Sequence, residues 1–181
     1  MASSEFERAL DFTLRWEGGY VNHPNDPGGA TNQGVTQGVY DAFRKAKGLP
    51  TRPVRELSTE ECREIYYRHY WLPVEGRTSP QWVQFRFALF DTFVNFGVHG
   101  GTAIWQFVCG TRADGIWGPL TSEATQRFVN GRGVLWCSLA LVGSRIRYRA
   151  RRVSENRSQL TFLWGWLNRD TDLMLHLLNL R

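Results

Sequence analysis

Cysteine is scarce in this chain: only Cys62, Cys109 and Cys137 occur among its 181 residues. Their odd number and wide spacing provide neither the CxxC pairs of a zinc site nor the dense framework of a disulfide-stapled small domain. A chain of this length can bury a core without such staples. We therefore predict three reduced, buried thiols.

Motifs for metal or cofactor chemistry are also missing. The four histidines form neither an HExxH motif nor another paired-ligand spacing; they are His23, His69, His99 and His176. The chain has no Gly-rich phosphate loop and no GxSxG nucleophile elbow. The sequence thus predicts no metal site and no cofactor.

Long apolar runs are absent as well. The N-terminal segment MASSEFERALDF lacks the basic start and the continuous apolar stretch of a signal peptide. No later uncharged stretch is long enough to span a bilayer. We expect a soluble protein that is made in the cytoplasm without a visible export signal.

Aromatic residues and positive charge are abundant. The chain contains eight Trp and eleven Phe, and its net charge is +5 at pH 7. Aromatic rings suit a core and also the faces of sugars. The positive charge favours polyanions, whether nucleic acid, anionic lipid or the acidic bacterial wall, and does not choose among them.

Helical periodicity runs through almost the whole chain. A strongly apolar helix over residues 82–97 is expected to be central. Residues 20–36 are crowded with Asn, Asp, Pro and Gly, which predicts an ordered loop with room for a short β-hairpin. We predict a mainly α single domain, 1–181, with a softer lobe boundary near residues 76–81. The other predicted helices cover residues 4–17, 37–47, 58–70, 102–108, a segment from Thr121 or Ser122, 134–153, and one or two helices within 162–180.

Glu17 has the position that a catalytic acid needs. Cleavage of a glycosidic bond requires a carboxylic acid that protonates the leaving oxygen and a second group that handles the nucleophile. Glu17 shares a predicted helix face with Leu10 and Leu14 and lies at the helix C-terminus, where the macrodipole disfavours negative charge. Both effects favour a protonated carboxyl group, as a general acid requires. Asp26, in a polar loop, should stay ionised and could orient a water that the Thr31 hydroxyl also holds.

The same residues also have a purely structural interpretation, in which Glu17 is a surface carboxylate and Asp26 belongs to a tight turn. The whole segment EGGYVNHPNDPGGATNQGVT, however, closely resembles the catalytic hairpin of phage-type lysozymes. More specifically, it resembles the signature of glycoside hydrolase family 108, which comprises bacterial and phage N-acetylmuramidases. The similarity continues through VRELSTEECREIYYRHYW. The later segments DTFVNFGVHGGTAIWQ and DGIWGPLT resemble the peptidoglycan-binding region that accompanies this family.

The resemblance implies a lysozyme-like helical bundle around the central apolar helix, with a catalytic lobe over 1–80 and a peptidoglycan-binding-like lobe over 81–181. It implies that Glu17 is the catalytic glutamate of the EGGY motif and acts on the β-1,4 bond after N-acetylmuramic acid. Asp26 and Thr31 carry over as water-holding residues. The loop between them is a little shorter than in phage lysozymes, so an identical water-holding role is a hypothesis.

Three further residues are candidates for substrate binding. Tyr20 and Asn22 flank the proposed acid and could touch the glycan, although loop residues of these types often only pack or cap. Asn95 could bond a sugar acetamido group or satisfy a neighbouring backbone carbonyl, and the resemblance favours the sugar. For the Asp114-Gly115 turn near Trp117, structural packing is the favoured interpretation.

Arginines cluster on one predicted helix, with Arg145, Arg149 and Arg152 on one face and Arg147 and Arg151 on the next. These side chains could grip wall phosphates, lipid headgroups or nucleic acid. A solvated helix face is the favoured interpretation.

The sequence therefore predicts a monomeric N-acetylmuramidase that cleaves peptidoglycan glycan strands. It leaves open a phage endolysin or a secretion-linked muramidase, reaching the wall through a holin-like pore, lysis or a secretion machinery. Rival interpretations are a peptidoglycan endopeptidase, a non-catalytic wall-binding secretion activator and, more weakly, a nucleic-acid-binding protein; no nucleic-acid partner is expected.

Overall fold

The computed structural model describes residues 4–22 and 29–180, and these are mainly α-helical, as the periodicity predicts. The chain divides into two compact units, Met1–His69 and Tyr70–Arg181. The sequence placed a softer boundary a little later, near residues 76–81. Within the described ranges, no helix is long and apolar enough to cross a membrane.

In its described residues, the first unit combines three α-helices with the expected hairpin. The first helix buries Phe6, Leu10 and Phe12 along its length. A side-chain cap from Thr36 opens the second helix, and the predicted Ser58/Glu61 capping box opens the third. The elements are α1 (Ser4–Leu14), β1 (Thr31–Asn32), β2 (Val35–Thr36), α2 (Gln37–Ala46), a 3-10 turn (Val54–Glu56) and α3 (Thr59–Tyr66).

Two predicted helix ends are wrong. Helix α1 ends at Leu14 rather than at Glu17. The helix predicted to close before Pro73 continues through a π-helical turn, Tyr67–Trp71, into α4 (Leu72–Glu75). Pro73 lies at the start of that short helix, directly after the π-helical turn.

The second unit is built around α5 (Val83–Cys109), which packs against α4, α6 (Pro119–Arg132), α7 (Val134–Glu155) and α8 (Leu160–Asn179). Residues 85–93 of α5 are all buried. The sequence predicted two helices here, the first ending at Gly97. Two helical segments do meet at a kink at Gly97, whose φ of 70° suits glycine, and the second begins before residue 102. The Leu-rich tail forms α8 after a 3-10 turn, Arg157–Gln159.

The Asp-Gly turn between α5 and α6 is held by one buried amide. Gln106 is 2% exposed; it donates to the Asp114 carboxylate (2.9 Å) and accepts the Gly115 backbone N–H (2.8 Å). Trp117 donates its indole N–H to Ser122 Oγ at 3.0 Å. These contacts stabilise the loop. All three cysteines are free and buried, as predicted.

A buried group of charges joins α5, α7 and α8. The Asp91 carboxylate binds Arg145 and Arg169, each at 2.7 Å, and Asp170 binds Arg145 and Arg149, also at 2.7 Å. Both aspartates and Arg145 are 0% exposed. The prediction that these arginines lie on a solvated helix face is therefore wrong for Arg145 and Arg149. Each of them is buried and pairs with an acidic residue on a neighbouring helix.

The charge state of Asp91 follows from these neighbours. Burial by itself would raise its pKa, but the guanidinium groups of Arg145 and Arg169 outweigh burial and lower the pKa to about 2. Asp91 is therefore ionised at neutral pH and depends on both arginines for compensation.

We predict that Asp91→Asn destabilises the fold, because it leaves two buried guanidinium groups with less compensating charge. Breaking a buried ion pair from one side typically costs about 3–5 kcal/mol. Denaturant unfolding of wild type and variant measures the difference, with Asp11→Asn on the exposed face of α1 as the matched control. A loss no larger than that of the control would contradict a structural role for this group of charges.

Candidate active site

A tight turn joins the two hairpin strands in the first unit. Asn32 pairs with Val35, so Gln33 and Gly34 form a two-residue loop, and their φ angles are 50° and 75°. Positive φ at both central residues is typical of the type I′ turn, whose twist matches that of the strands. Glycine accepts this backbone conformation without steric cost.

The carboxyl group of Glu17 lies directly against this turn. A Cβ atom at position 34 would stand 2.9 Å from Glu17 Oε2 and 3.2 Å from its carboxyl carbon. The first separation is shorter than real Cβ contacts and the second is tight, so a side chain at position 34 would require the Glu17 carboxyl group to shift.

Glu17 reaches this position from just beyond the end of α1. The backbone N–H of Trp16 binds the Thr13 carbonyl at 3.0 Å, and the N–H of Glu17 binds the Leu14 carbonyl at 3.2 Å. The chain therefore leaves the helix through tighter turns, and Glu17 lies half-buried after them. Its backbone still binds a terminal carbonyl of the helix.

Tyr66, at the end of α3, approaches the same place. Its side chain is 2% exposed, and its hydroxyl donates to the Gln33 backbone carbonyl at 2.8 Å. That hydroxyl would also collide with a Cβ atom at position 34. The turn therefore has the Glu17 carboxyl group and the Tyr66 hydroxyl as direct neighbours.

The thiol of Cys62 lies within the electrostatic reach of Glu17. Burial, together with a smaller contribution from the Glu17 carboxylate, raises the pKa of Cys62 to about 11. This thiol stays protonated at neutral pH and is not a nucleophile.

A backbone bridge connects the Glu17 segment to the hairpin. The Val21 N–H binds the Thr31 carbonyl and the Thr31 N–H binds the Val21 carbonyl, both at 2.8 Å. On either side of Val21, Tyr20 is 47% exposed and Asn22 is also exposed. The Thr31 hydroxyl donates to the Gly29 carbonyl at 3.4 Å, a long bond. Asp26 lies outside the described residues.

Asn95 belongs to the second unit, on α5. Its amide N–H groups bind the Asp91 backbone carbonyl at 2.7 Å and the Asp91 carboxylate at 3.3 Å, and its oxygen accepts from Arg149 at 3.0 Å. Asn95 therefore does satisfy a neighbouring backbone carbonyl, which is one of the two roles that the sequence left open for it. Asn95 also lines a cavity of about 340 Å³ together with Tyr148, Arg149 and Trp166, and the sugar contact stays a prediction.

Glu61 fixes the elements behind the hairpin. Its carboxylate accepts from the Tyr40 hydroxyl (2.7 Å), from Arg44 (2.6 Å) and from Arg52, and from the Ser58 backbone N–H (3.1 Å). These bonds join α2, the following loop and the start of α3.

The hairpin is bound to this framework by two side-chain amides. Asn32 donates to the Val54 carbonyl at 3.1 Å. Gln37 accepts the Val54 N–H at 2.6 Å and donates to the Arg52 carbonyl at 2.9 Å. The position of the turn beside Glu17 therefore depends on the Glu61 contacts.

In residues 4–22 and 29–180, no group of three or more His, Cys, Asp and Glu side chains is arranged to hold a metal ion. The chemistry available at this turn is that of a half-buried carboxyl group beside a phenol. Such a carboxyl group can donate or accept a proton.

Comparisons with known proteins agree with this arrangement. Residues 10–97, just under half of the chain, match the model of the family described as Glycosyl hydrolase 108. The match includes Glu17 and the hairpin, and it supports glycoside hydrolase activity on a mainly α, lysozyme-like fold.

Eleven chains of solved structures match this chain. Among them, SagA of Brucella abortus is 27% identical with a TM-score of 0.73, and the match covers 98% of this chain and 96% of that one. No curated protein gives a significant match.

Sequence reasoning missed Gly34 and Tyr66. The Gln-Gly pair between Asn32 and Val35 was the available signal for the turn, since glycine favours such loops. Tyr66 had no comparable signal, because nothing in its helical spacing indicates that its hydroxyl meets a hairpin carbonyl.

We predict that Glu61→Gln destabilises the first unit in a pH-dependent manner. Burial would raise the pKa of Glu61, but the bonds from Tyr40 and Ser58 and the charges of Arg52 and Arg44 lower it below 4.5. The ionised group therefore stabilises the fold above about pH 4.5, and this contribution disappears as the pH falls through the lower native pKa.

Charged hydrogen bonds contribute about 1.5–3 kcal/mol each, so the difference in unfolding free energy between wild type and Glu61→Gln should be of that order at pH 7. Thermal unfolding measured from pH 7 to pH 3 should show the difference narrowing. Glu123→Gln, an exposed change on α6, serves as the control. A difference that stays constant with pH would refute the ionised role.

Proposed function

We propose that this protein is an N-acetylmuramidase that hydrolyses the β-1,4 bond between N-acetylmuramic acid and N-acetylglucosamine in peptidoglycan. Glu17 is the general acid that protonates the leaving glycosidic oxygen. The observation that carries the proposal is the half-buried Glu17 carboxyl group against Gly34, within the segment that matches the glycosyl hydrolase family.

The surroundings of Glu17 favour this role. The hairpin turn holds the carboxyl group on one side, while its intermediate exposure leaves a route for a substrate oxygen. A general acid must stand within hydrogen-bond reach of the oxygen that it protonates, and a positioned carboxyl group meets this need. Breaking the bond then leaves oxocarbenium-like charge on the sugar.

The second half of the reaction is assigned to Asp26 and Thr31. Asp26 would stay ionised and orient the attacking water, and the Thr31 hydroxyl would hold the same water. The Val21–Thr31 bridge supports this assignment, because it holds together the described residues on either side of the segment that contains Asp26. Tyr20 and Asn22 would contact the glycan beside Glu17, and Asn95 would bind an acetamido group.

The biological setting follows from the substrate. A muramidase of this kind acts on the cell wall, as a phage endolysin or a secretion-linked enzyme released through a holin-like pore, by lysis or through a secretion machinery. Bacteriolysis would be the direct consequence of glycan cleavage.

Glu17→Gln should abolish most wall-clearing activity while the fold is kept. The amide is nearly isosteric but cannot donate the catalytic proton, and a positioned general acid typically contributes about 10²–10⁴-fold. Turbidity clearing of purified bacterial walls measures the loss. Glu123→Gln is the matched control, because it makes the same change at an exposed position on α6, in the second unit.

Clearing by Glu17→Gln at the wild-type rate would remove Glu17 from the mechanism. If neither the wild-type protein nor Glu17→Gln clears walls, and both still have the same effect in cells, a non-catalytic wall-binding role would be favoured instead.

Gly34→Ala should reduce activity more than a glycine substitution with the same backbone strain elsewhere. The new methyl group would press on the Tyr66 hydroxyl and on the Glu17 carboxyl group, and a shift of about 1 Å in a catalytic group can cost about 100-fold in rate. Gly48→Ala is the control, because Gly48 also has a positive φ (69°) but has no atom within 4 Å of the added carbon. Equal activity losses in the two variants would show that backbone strain alone, and not displacement of Glu17, is responsible.

A further inference from the structure

A groove in the second unit lies between the second half of α5 and the middle of α7, and its volume is about 420 Å³. Gly100, Ala103 and Phe107 contribute to its α5 side at spacings of three and four residues, which is one stripe of the helical segment after Gly97, and Phe96 lines the groove from the segment before that kink. Small-molecule sites typically occupy about 300–1,000 Å³, so the groove has the size of a ligand site.

Small residues form part of the lining, which we call the floor of the groove. Gly100 and Ala103 carry little side-chain bulk there, and Tyr148 of α7 packs edge-to-face on Phe96 with 5.6 Å between ring centroids. Phe107 is 69% exposed and Tyr148 is 42% exposed, so the groove offers apolar surface to solvent. An apolar chain laid over this floor would remove that surface from water.

The rim of the groove is cationic. Arg147 and Arg151 line it one helical turn apart, and both are exposed. No ion pair of either guanidinium group occurs in the described part of the chain, in contrast to buried Arg145 and Arg149. Like charges at this spacing repel each other. An anion placed between them would relieve the repulsion and accept charge-assisted hydrogen bonds.

We propose that this groove binds a long-chain carboxylate, with its alkyl chain over Gly100 and Ala103 and its carboxylate between Arg147 and Arg151. The concave floor favours a single chain over a bilayer surface, because a flat membrane cannot enter the space between two helices. No residue of the groove has a role in the reaction proposed for Glu17, although Phe96 and Tyr148 also line the neighbouring cavity that contains Asn95.

Isothermal titration with decanoate tests the proposal, at concentrations below micelle formation. Decyltrimethylammonium is the matched probe, because it has the same chain with the opposite charge. Wild-type protein should bind one decanoate and should bind the cation at least about tenfold more weakly, given the charge of the rim.

Two variants separate the contributions of the chain and the charge. Arg147→Gln/Arg151→Gln should weaken decanoate binding about tenfold or more, because it removes both charged donors. Ala103→Trp should block binding, because the indole occupies the groove without changing the charge. Arg8→Gln is the control, because Arg8 is an exposed residue on α1 in the other unit. This variant should bind decanoate like wild type. Thermal unfolding of each variant shows whether its fold is kept.

Several results would overturn the proposal. These are equal affinity for the two probes, no decanoate binding, or decanoate binding that the arginine variant leaves unchanged. Binding to anionic phospholipid vesicles without binding to decanoate would assign the surface to a membrane and would also contradict it. If Ala103→Trp does not fold, the arginine variant decides the question alone.

Discussion

The contact between the Glu17 carboxyl group and the side-chain-free edge of Gly34 is the constraint on which the functional account depends. It requires a hairpin turn with positive φ at residue 34 and a chain that leaves α1 before Glu17. It also requires the hydrogen bond from the Tyr66 hydroxyl to the backbone carbonyl of the turn. Each condition comes from a different part of the first unit. A carboxyl group confined in this way is positioned before a substrate arrives, which is the main contribution that a protein makes to acid catalysis.

Charged groups support each unit in a different way. In the first unit, Glu61 is only partly buried and joins loop and helix ends, so its contribution depends on its ionised state. In the second unit, Asp91 and Asp170 are fully buried against three arginines and fasten α5, α7 and α8 together. Burial makes those charges costly to separate. Arg145 and Arg149 of this group therefore differ from Arg147 and Arg151, which lie on the same helix, α7, but are exposed to solvent.

Local signals predicted much of the fold. The apolar spacing of residues 82–96 and the Ser58/Glu61 capping box each determine structure within a few positions, so they are readable from the chain. Pairings across long separations are not readable in this way: Arg145 and Asp91 are 54 positions apart, and helical spacing places Arg145 on a polar face. An aspartate within an apolar helix was the available warning, because a buried carboxylate needs a cation. Tyr66 illustrates the same limit at the candidate site.

The chemical nature of the bond that is cut is the central claim, and the products of wall digestion test it most directly. Purified sacculi treated with the wild-type protein and then reduced with borohydride would be analysed by mass spectrometry. The account predicts fragments that end in reduced N-acetylmuramic acid, with stem peptides intact. New amino ends on the peptides, with glycan strands of unchanged length, would contradict it and assign the protein to peptide-bond hydrolysis.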